Sequence, residues 1–475
     1  MKNYIYLILP LLLVLAQGCD KFLGNKPKGM TIPENFDDYA KLLASQGLAN
    51  SMSIDAFYLT DDIHLLDDTA KYADVSYVNQ DDHERNLYAF KSGQIYTPGS
   101  SDNLWDGTYE RIYTYNTVIN NVLSSGESTE AEKRRLRAEA LYHRAFDYLN
   151  LVNIYGKHYD AATAGSDYGV PLIVSDRIEQ TYKRATVAEV YLQIENDLKE
   201  AFPALAATSL NRFHPNQASV YSFYARLYLY MGRYEDALTN ANKALEYNDK
   251  LLDLKPYVIK DKKSWGRVQL PNGTALLDKD ENPESVYVRL QDGRKTITVS
   301  EDLQEVFEKD LPANAVDQRR HLFYADDTVN MGRTDYFYGE TCYILYSNQN
   351  VGFSSVENLL IAAECEARIG SKDKAMLLLD RLRDNRIVNN TSLTATDQND
   401  ALRKVLEERR REFAFTGFHR LIDLKRLNKE KQWEKTVVHT ADGETYTLKP
   451  GDNRYIFPIN QLILNYNPGM PQYER

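Results

Sequence analysis

Residues 216–245, NQASVYSFYARLYLYMGRYEDALTNANKAL, read as two helices folded back on each other. Ala218, Tyr221, Ala225, Tyr228 and Leu229 recur at three- and four-residue steps, which puts them on one face of a helix. Gly232 breaks the run. The pattern restarts at Tyr234 and places Ala237, Ala241, Ala244 and Leu245 on one stripe, small residues standing where a neighbouring helix must come close. A single hairpin cannot bury its apolar face alone, so partners are expected elsewhere in the chain.

The spacing is that of a tetratricopeptide unit, about 34 residues of helix, turn and helix. It recurs at 355–382: setting Gly370 on Gly232 puts Ala363 on Ala225, Ala375 on Ala237 and Leu382 on Ala244, with Glu366 in place of Tyr228. Further hairpin material lies at 102–156, where Thr129 opens a long helix, at 186–248, capped by Thr186, and at 396–428, an Arg- and Glu-rich helix. Between these, Pro, Gly and Asn break the rhythm over about 250–353, a loop-rich insertion with short strand-like runs at 286–290 and 296–299. Residues 51–99, rich in Asp and Tyr, read as loop and surface. The expected fold is mainly α, a scaffold of tetratricopeptide-type hairpins carrying a large irregular insertion, with 35–475 as one domain.

The 475 residues are 43% hydrophobic, enough for a substantial core. A formal net charge of -11 argues against a nucleic-acid partner, which would draw on clustered Lys and Arg. Residues 1–18 have a Lys2 start, an apolar run and Ala16-Gln17-Gly18 before Cys19, the architecture of a secretory signal too short to span a bilayer of about 20 residues. Small residues before the cysteine point to lipoprotein processing at Cys19, with acyl chains such as palmitate on the new N-terminus and 19–34 as a tether. Cys342 and Cys365 imply no disulfide framework.

Cys19-Asp20-Lys21-Phe22-Leu23 with Pro27; Arg144-Ala145-Phe146 with Tyr155-Gly156 and Gly169-Val170-Pro171-Leu172; 184–205; and Tyr455 to Ile459 with Asn467-Pro468 resemble segments of the SusD/RagB family of lipid-anchored nutrient-binding proteins of the Bacteroidetes outer membrane. The most specific is Glu408-Arg409-Arg410-Arg411-Glu412-Phe413 running into Phe415-Thr416-Gly417-Phe418-His419-Arg420 and Asp423-Leu424-Lys425-Arg426; Thr416 stands where the family usually has Glu. The resemblance implies a SusD-like fold and a binding protein without catalysis, lipid-anchored at the outer membrane and facing the cell exterior. It further implies that the protein covers a SusC-like TonB-dependent transporter and captures oligosaccharides or peptides. A tetratricopeptide scaffold that binds only protein is the alternative of a different class.

The carboxylates near Glu407 could suggest glycoside hydrolysis, but Glu407 and Arg411, four apart on one helix, read as a pair supporting that helix. The eight histidines show no spacing suited to zinc. Asp278, Asp280 and Asn282 mimic the start of a calcium loop, but Pro283 replaces the required Gly, so no cofactor is expected. Asp61, Asp62, Asp67, Asp68, Asp81 and Asp82 read as a solvated acidic face. Sugar binding needs aromatic faces on loops beside polar groups. The candidates are Trp265 in the insertion, Tyr72 and Tyr77 in the acidic loop, and Tyr336 and Tyr338, while Trp105 reads as packing within the first hairpin.

Overall fold

The computed structural model describes residues 33–67, 75–177, 182–209, 211–260, 268–276, 281–291, 296–330, 335–343 and 349–475. After α1 (Phe36–Leu43) and α2 (Asp82–Tyr88), the scaffold is laid down by α3 (Asn103–Asn121), α4 (Glu130–Tyr155), α5 (Val187–Ala201), α6 (Gln217–Tyr230) and α7 (Tyr234–Tyr247). The insertion adds α8 (Glu301–Glu308) and α9 (Gln318–Phe323), and the scaffold resumes with α10 (Ser355–Ile369), α11 (Lys372–Arg383), α12 (Gln398–Phe413) and α13 (His419–Leu427); α14 (Gln461–Tyr466) lies near the C-terminus. Helix α4 packs against both α3 and α5, α6 against α7, and α10 against α7, α11 and α12. The two runs join where Tyr142 of α4 meets Phe223 of α6 edge to face and donates its hydroxyl to the Ser219 carbonyl.

Local chemistry explains the helix starts. Thr129 with Glu132 and Thr186 with Glu189 form capping boxes that satisfy backbone N–H groups otherwise left without partners. Gly232 turns the α6–α7 hairpin at φ +71°, a conformation that favours glycine. Ala225, Ala237, Ala241 and Ala244 are buried, as are Ala363, Ala375 and Leu382 of the recurring register. The tyrosines of α6 depart from the single-face reading. Tyr221, Tyr224 and Tyr228 are half-buried on its outer side, while Val220, Phe223, Leu227 and even Arg226 are buried, because α6 is covered on most of its circumference.

Three further expectations are corrected. Residues 51–99 are not surface: Phe57, Leu59, Leu87, Tyr88, Phe90 and Ile95 join the main core. Their elements, 3-10 turns at Asp55–Leu59 and Tyr77–Asn79 and the short α2, are too brief to show a period. The 396–428 helix is two helices. The chain breaks at Phe415 (φ +56°) and Gly417 (φ +51°), and a Cβ on Gly417 would sit 2.6 Å from Met52 Sδ. Glu407 pairs with Arg403, whereas Arg411 binds Glu408 Oε2 at 3.0 Å. Cys342 and Cys365 are buried, and no disulfide joins them among the described residues.

In α12, five consecutive charged residues, each turned 100° from the last, reach partners around the helix. Glu408 accepts from Arg319, Arg383 and Arg411. Arg409 donates to Asp423, Arg410 to Asp62, Arg411 to the Val306 and Lys309 carbonyls, and Glu412 accepts from Arg319 and Arg386. The helix therefore ties insertion, acidic loop and α13 to one axis.

Candidate ligand-binding face

The two loop groups singled out from the sequence converge. His64 N–H donates to the Thr298 carbonyl, Leu66 N–H to the Val75 carbonyl and Tyr77 N–H to the Leu66 carbonyl, which sets Leu66 beside Ser76. Val75 and Leu66 then pack against Ala325, Val329, Tyr338 and Cys342 of the insertion. Beneath runs a three-stranded sheet of Ile297–Thr298, Cys342–Tyr343 and Tyr324–Ala325. Beyond it projects the hairpin Thr328–Asn330 with Asp335–Phe337, in which the Tyr336 backbone pairs with Val329.

The C-terminal hairpin Val437–Ala441 with Glu444–Leu448 forms the other flank. Tyr77 is half-buried, 6.2 Å from the Tyr446 ring and 5.8 Å from Tyr88. Burial, then its hydrogen bond with Tyr446, pushes the Tyr77 hydroxyl up to about 12, so the phenol stays neutral. His439 is clamped between Tyr88 and Phe90 with both ring nitrogens on the backbone carbonyls of Tyr88 and Thr60, which fixes the hairpin. Val78 (37% exposed), Asn79 and Asp82 follow Tyr77 in the chain and are exposed, and Asp67 accepts from Asp442 N–H. A half-exposed aromatic pair with amide and carboxylate neighbours suits a sugar ring with its hydroxyls.

A cavity of about 220 Å³ opens alongside, lined by Phe323, Tyr324, Tyr343, Phe413, Gln349 and Thr416 among others. Gln349 donates to Thr416 Oγ1 at 2.6 Å, so the residue that departs from the family pattern is satisfied by an amide and not by an ion pair. The cavity falls below the roughly 300–1,000 Å³ of enclosed ligand pockets.

Of the candidates, Tyr77 lies on this face and is half-buried. Tyr338 does not: it is 2% exposed and its ring is taken up by packing, which corrects its reading as a ligand contact. Tyr72, Trp265 and the lipidation candidate Cys19 lie outside the described residues, as do Asp278 and Asp280 of the calcium-like run. Trp265 is bracketed by the paired strands Val258–Ile259 and Val268–Gln269. Trp105 is buried edge to face on Tyr155, as packing requires. Asp61 and Asp62 are buried, not solvated: Arg420 and Arg410 hold them at 2.7 Å. Burial raises Asp61, but Arg410 and Arg420 outweigh it and leave the carboxyl well below the usual range. Tyr446 escaped the sequence reading, although Asp442-Gly443 between alternating residues is a strong hairpin signal; both residues have positive φ, as a type I′ turn requires.

Comparison with known proteins agrees with this architecture. Residues 21–229 match a family model described as starch-binding, associating with outer membrane, and residues 356–475 match the SusD family model. SusD-like protein P2 of Formosa agariphila is 29% identical over 264 residues, 54% of this chain and 48% of its own length, so the chain spans about half the length of that curated relative. A SusD superfamily protein of Bacteroides thetaiotaomicron superposes with a TM-score of 0.68 at 20% identity, over 93% of this chain and 100% of its own. A laminarin binding SusD-like protein gives a TM-score of 0.60 at 19% identity, over 92% and 100%. At these identities the two structures share the fold.

Proposed function

Because the chain belongs to the SusD family, we propose that it is a lipid-anchored, surface-facing outer-membrane protein that captures oligosaccharides and passes them to a SusC-like TonB-dependent transporter. The observation that carries the reading is the match of both ends of the chain to SusD models, one of them described as starch-binding. The half-exposed Tyr77–Tyr446 pair supports it physically. In this proposal Trp265, Tyr72 and Tyr336 add further rings, and the buried Tyr338 does not touch sugar. Members of the family are binding proteins, and the buried Glu408 and Asp423 and the half-buried Glu412, each held by guanidinium groups, suit that role better than hydrolysis.

Calorimetry with laminarin and starch fragments tests the proposal. Saturable binding is expected, and Tyr77→Ala and Tyr446→Ala should each weaken it by about 0.5–1.5 kcal/mol, the scale of one aromatic contact. Binding of peptide pools with no glycan response would replace the sugar by a peptide ligand. No response to either, with the transporter still co-purifying, would leave a protein-only scaffold.

Among the described residues no helix is long and apolar enough to cross a membrane. In the proposal, attachment rests on Cys19 carrying more than one acyl chain, since a single chain binds only marginally. Cys19→Ala is expected to move the protein from the membrane fraction to the soluble one; a variant that stays with the membrane would refute the anchor.

A further inference from the structure

We propose that Asp55, His83 and Glu84 form a binding site for a zinc-class divalent cation. One donor atom from each lies within 4.8 Å of the other two. They come from two elements: Asp55 opens a 3-10 turn (Asp55–Leu59), and His83 and Glu84 stand side by side in the first turn of α2. His83 Nε2 is 3.4 Å from Asp55 Oδ1. Two ligands bound at about 2.0–2.1 Å in a tetrahedron stand about 3.3 Å apart. The imidazole and the Asp55 carboxylate therefore already hold coordination spacing, and a Glu84 carboxylate oxygen lies within 4.8 Å of both.

The surroundings orient the donors as outer-shell groups of metal sites do. The His83 ring stacks on Tyr96, 6.2 Å between centroids at 19°, and Tyr96 is held by donating its hydroxyl to Asp102 at 2.6 Å. The Ser53 hydroxyl donates to Asp55 Oδ2, which leaves Oδ1 toward the imidazole. Glu84 is fixed at the head of α2, where its Oε2 accepts from the Asp81 N–H. The His83 and Asp55 side chains keep 30% and 22% exposure, so an ion can enter and retain water in its remaining position.

A nitrogen donor beside two carboxylates selects the class. Calcium and magnesium take oxygen ligands, whereas imidazole suits zinc, cobalt and nickel. The linear sequence does not betray the site, because Asp55 lies far from His83 and no histidine pair is involved.

The test uses the untagged, chelator-stripped full chain, titrated calorimetrically with zinc chloride and separately with calcium chloride. Cobalt chloride provides an absorption readout of tetrahedral ligation. One zinc per chain is expected, with calcium at least ~10-fold weaker, and His83→Ala and Asp55→Asn should each weaken zinc binding by about 10- to 100-fold. Both residues are partly exposed, so the urea midpoint of the stripped variants should match that of the parent, separating lost ligation from lost folding. Absence of 1:1 binding would overturn the proposal and leave His83 and Asp55 as an ion pair. Binding unchanged in both variants would overturn it equally, by placing the ion elsewhere.

Discussion

Glu408→Ala is expected to lose about 3–5 kcal/mol of folding stability in urea denaturation, the scale for removing one partner from a buried ionic cluster. Glu408 is 0% exposed and accepts from Arg319 at 2.6 Å and from Arg383 and Arg411 at 3.0 Å each. Without it, Arg319 keeps Asp317 and Glu412, but Arg383 and Arg411 are left with neutral acceptors in a dry interior. The three guanidiniums come from α9, α11 and α12, so the loss is felt across the scaffold and the insertion together. Burial raises the Glu408 carboxyl, but the three guanidiniums overcome it and hold it far below the ordinary range. Glu364 behaves alike: Arg426 and Arg368 outweigh burial and bring it to about 2. Groups depressed in the folded state contribute stability above their unfolded pKa of about 4.3 and lose it as pH falls through the folded value. The parent should therefore lose stability steeply between about pH 4.3 and 2, and Glu408→Ala, lacking one such group, should lose less over that window. A variant within 1 kcal/mol of the parent at pH 7 would show that the cluster is dispensable.

What the sequence could and could not announce follows from the range of the interactions. Periodicity located α6, α7, α10 and α11 because their alanines repeat at steps set by the helix itself, and Thr129 and Thr186 announce helix starts through bonds to residues three positions on. The charge run of α12 was legible as structural, yet its partners were not. Glu408 lies 89 residues from Arg319 and Arg410 348 from Asp62, and spacing along one helix suggested Glu407 with Arg411, the wrong pair. The same limit hid the acidic loop's burial, since Asp61 and Asp62 look solvated until Arg420 and Arg410 are brought to them from the far end of the chain. On the candidate face, aromatic content in loops singled out Tyr77 correctly as partly exposed. It could not separate Tyr77 from Tyr338, because both are loop tyrosines and only the packing against Val75 and Val329 makes the second a core residue.

Arg410→Ala should cost stability on the same scale as Glu408→Ala and, unlike it, should act on the binding face through the acidic loop. Arg410 reaches Asp62 Oδ1 and Asp302 at 2.7 Å and the Asp61 carbonyl at 3.1 Å, so it joins the acidic loop and α8 to α12. Asp61 has independent support from Arg420 and Lys435, so its loop keeps one tether in the variant. Asp62 does not: it is 1% exposed, its Oδ2 already has no partner, and Arg420 is 4.0 Å away. Burial raises the Asp62 carboxyl even in the parent, with Arg410 as the chief opposing charge. Removing Arg410 raises it further, and a folded pKa above the unfolded value of about 3.9 costs stability at higher pH and nothing below both values. The Arg410→Ala deficit should thus approach about 3–5 kcal/mol at pH 7 and shrink as pH falls toward 4. Arg410→Lys should recover only part of it, because a point charge cannot reach Asp62, Asp302 and the Asp61 carbonyl at once. Since residues 61–67 lead into Tyr77, glycan affinity should fall in Arg410→Ala while Glu408→Ala, measured where it remains folded, keeps it. A pH-independent deficit, or equal affinity in both variants, would mean that the acidic loop is held by its apolar contacts with Val329 and Tyr338 and not by the guanidinium.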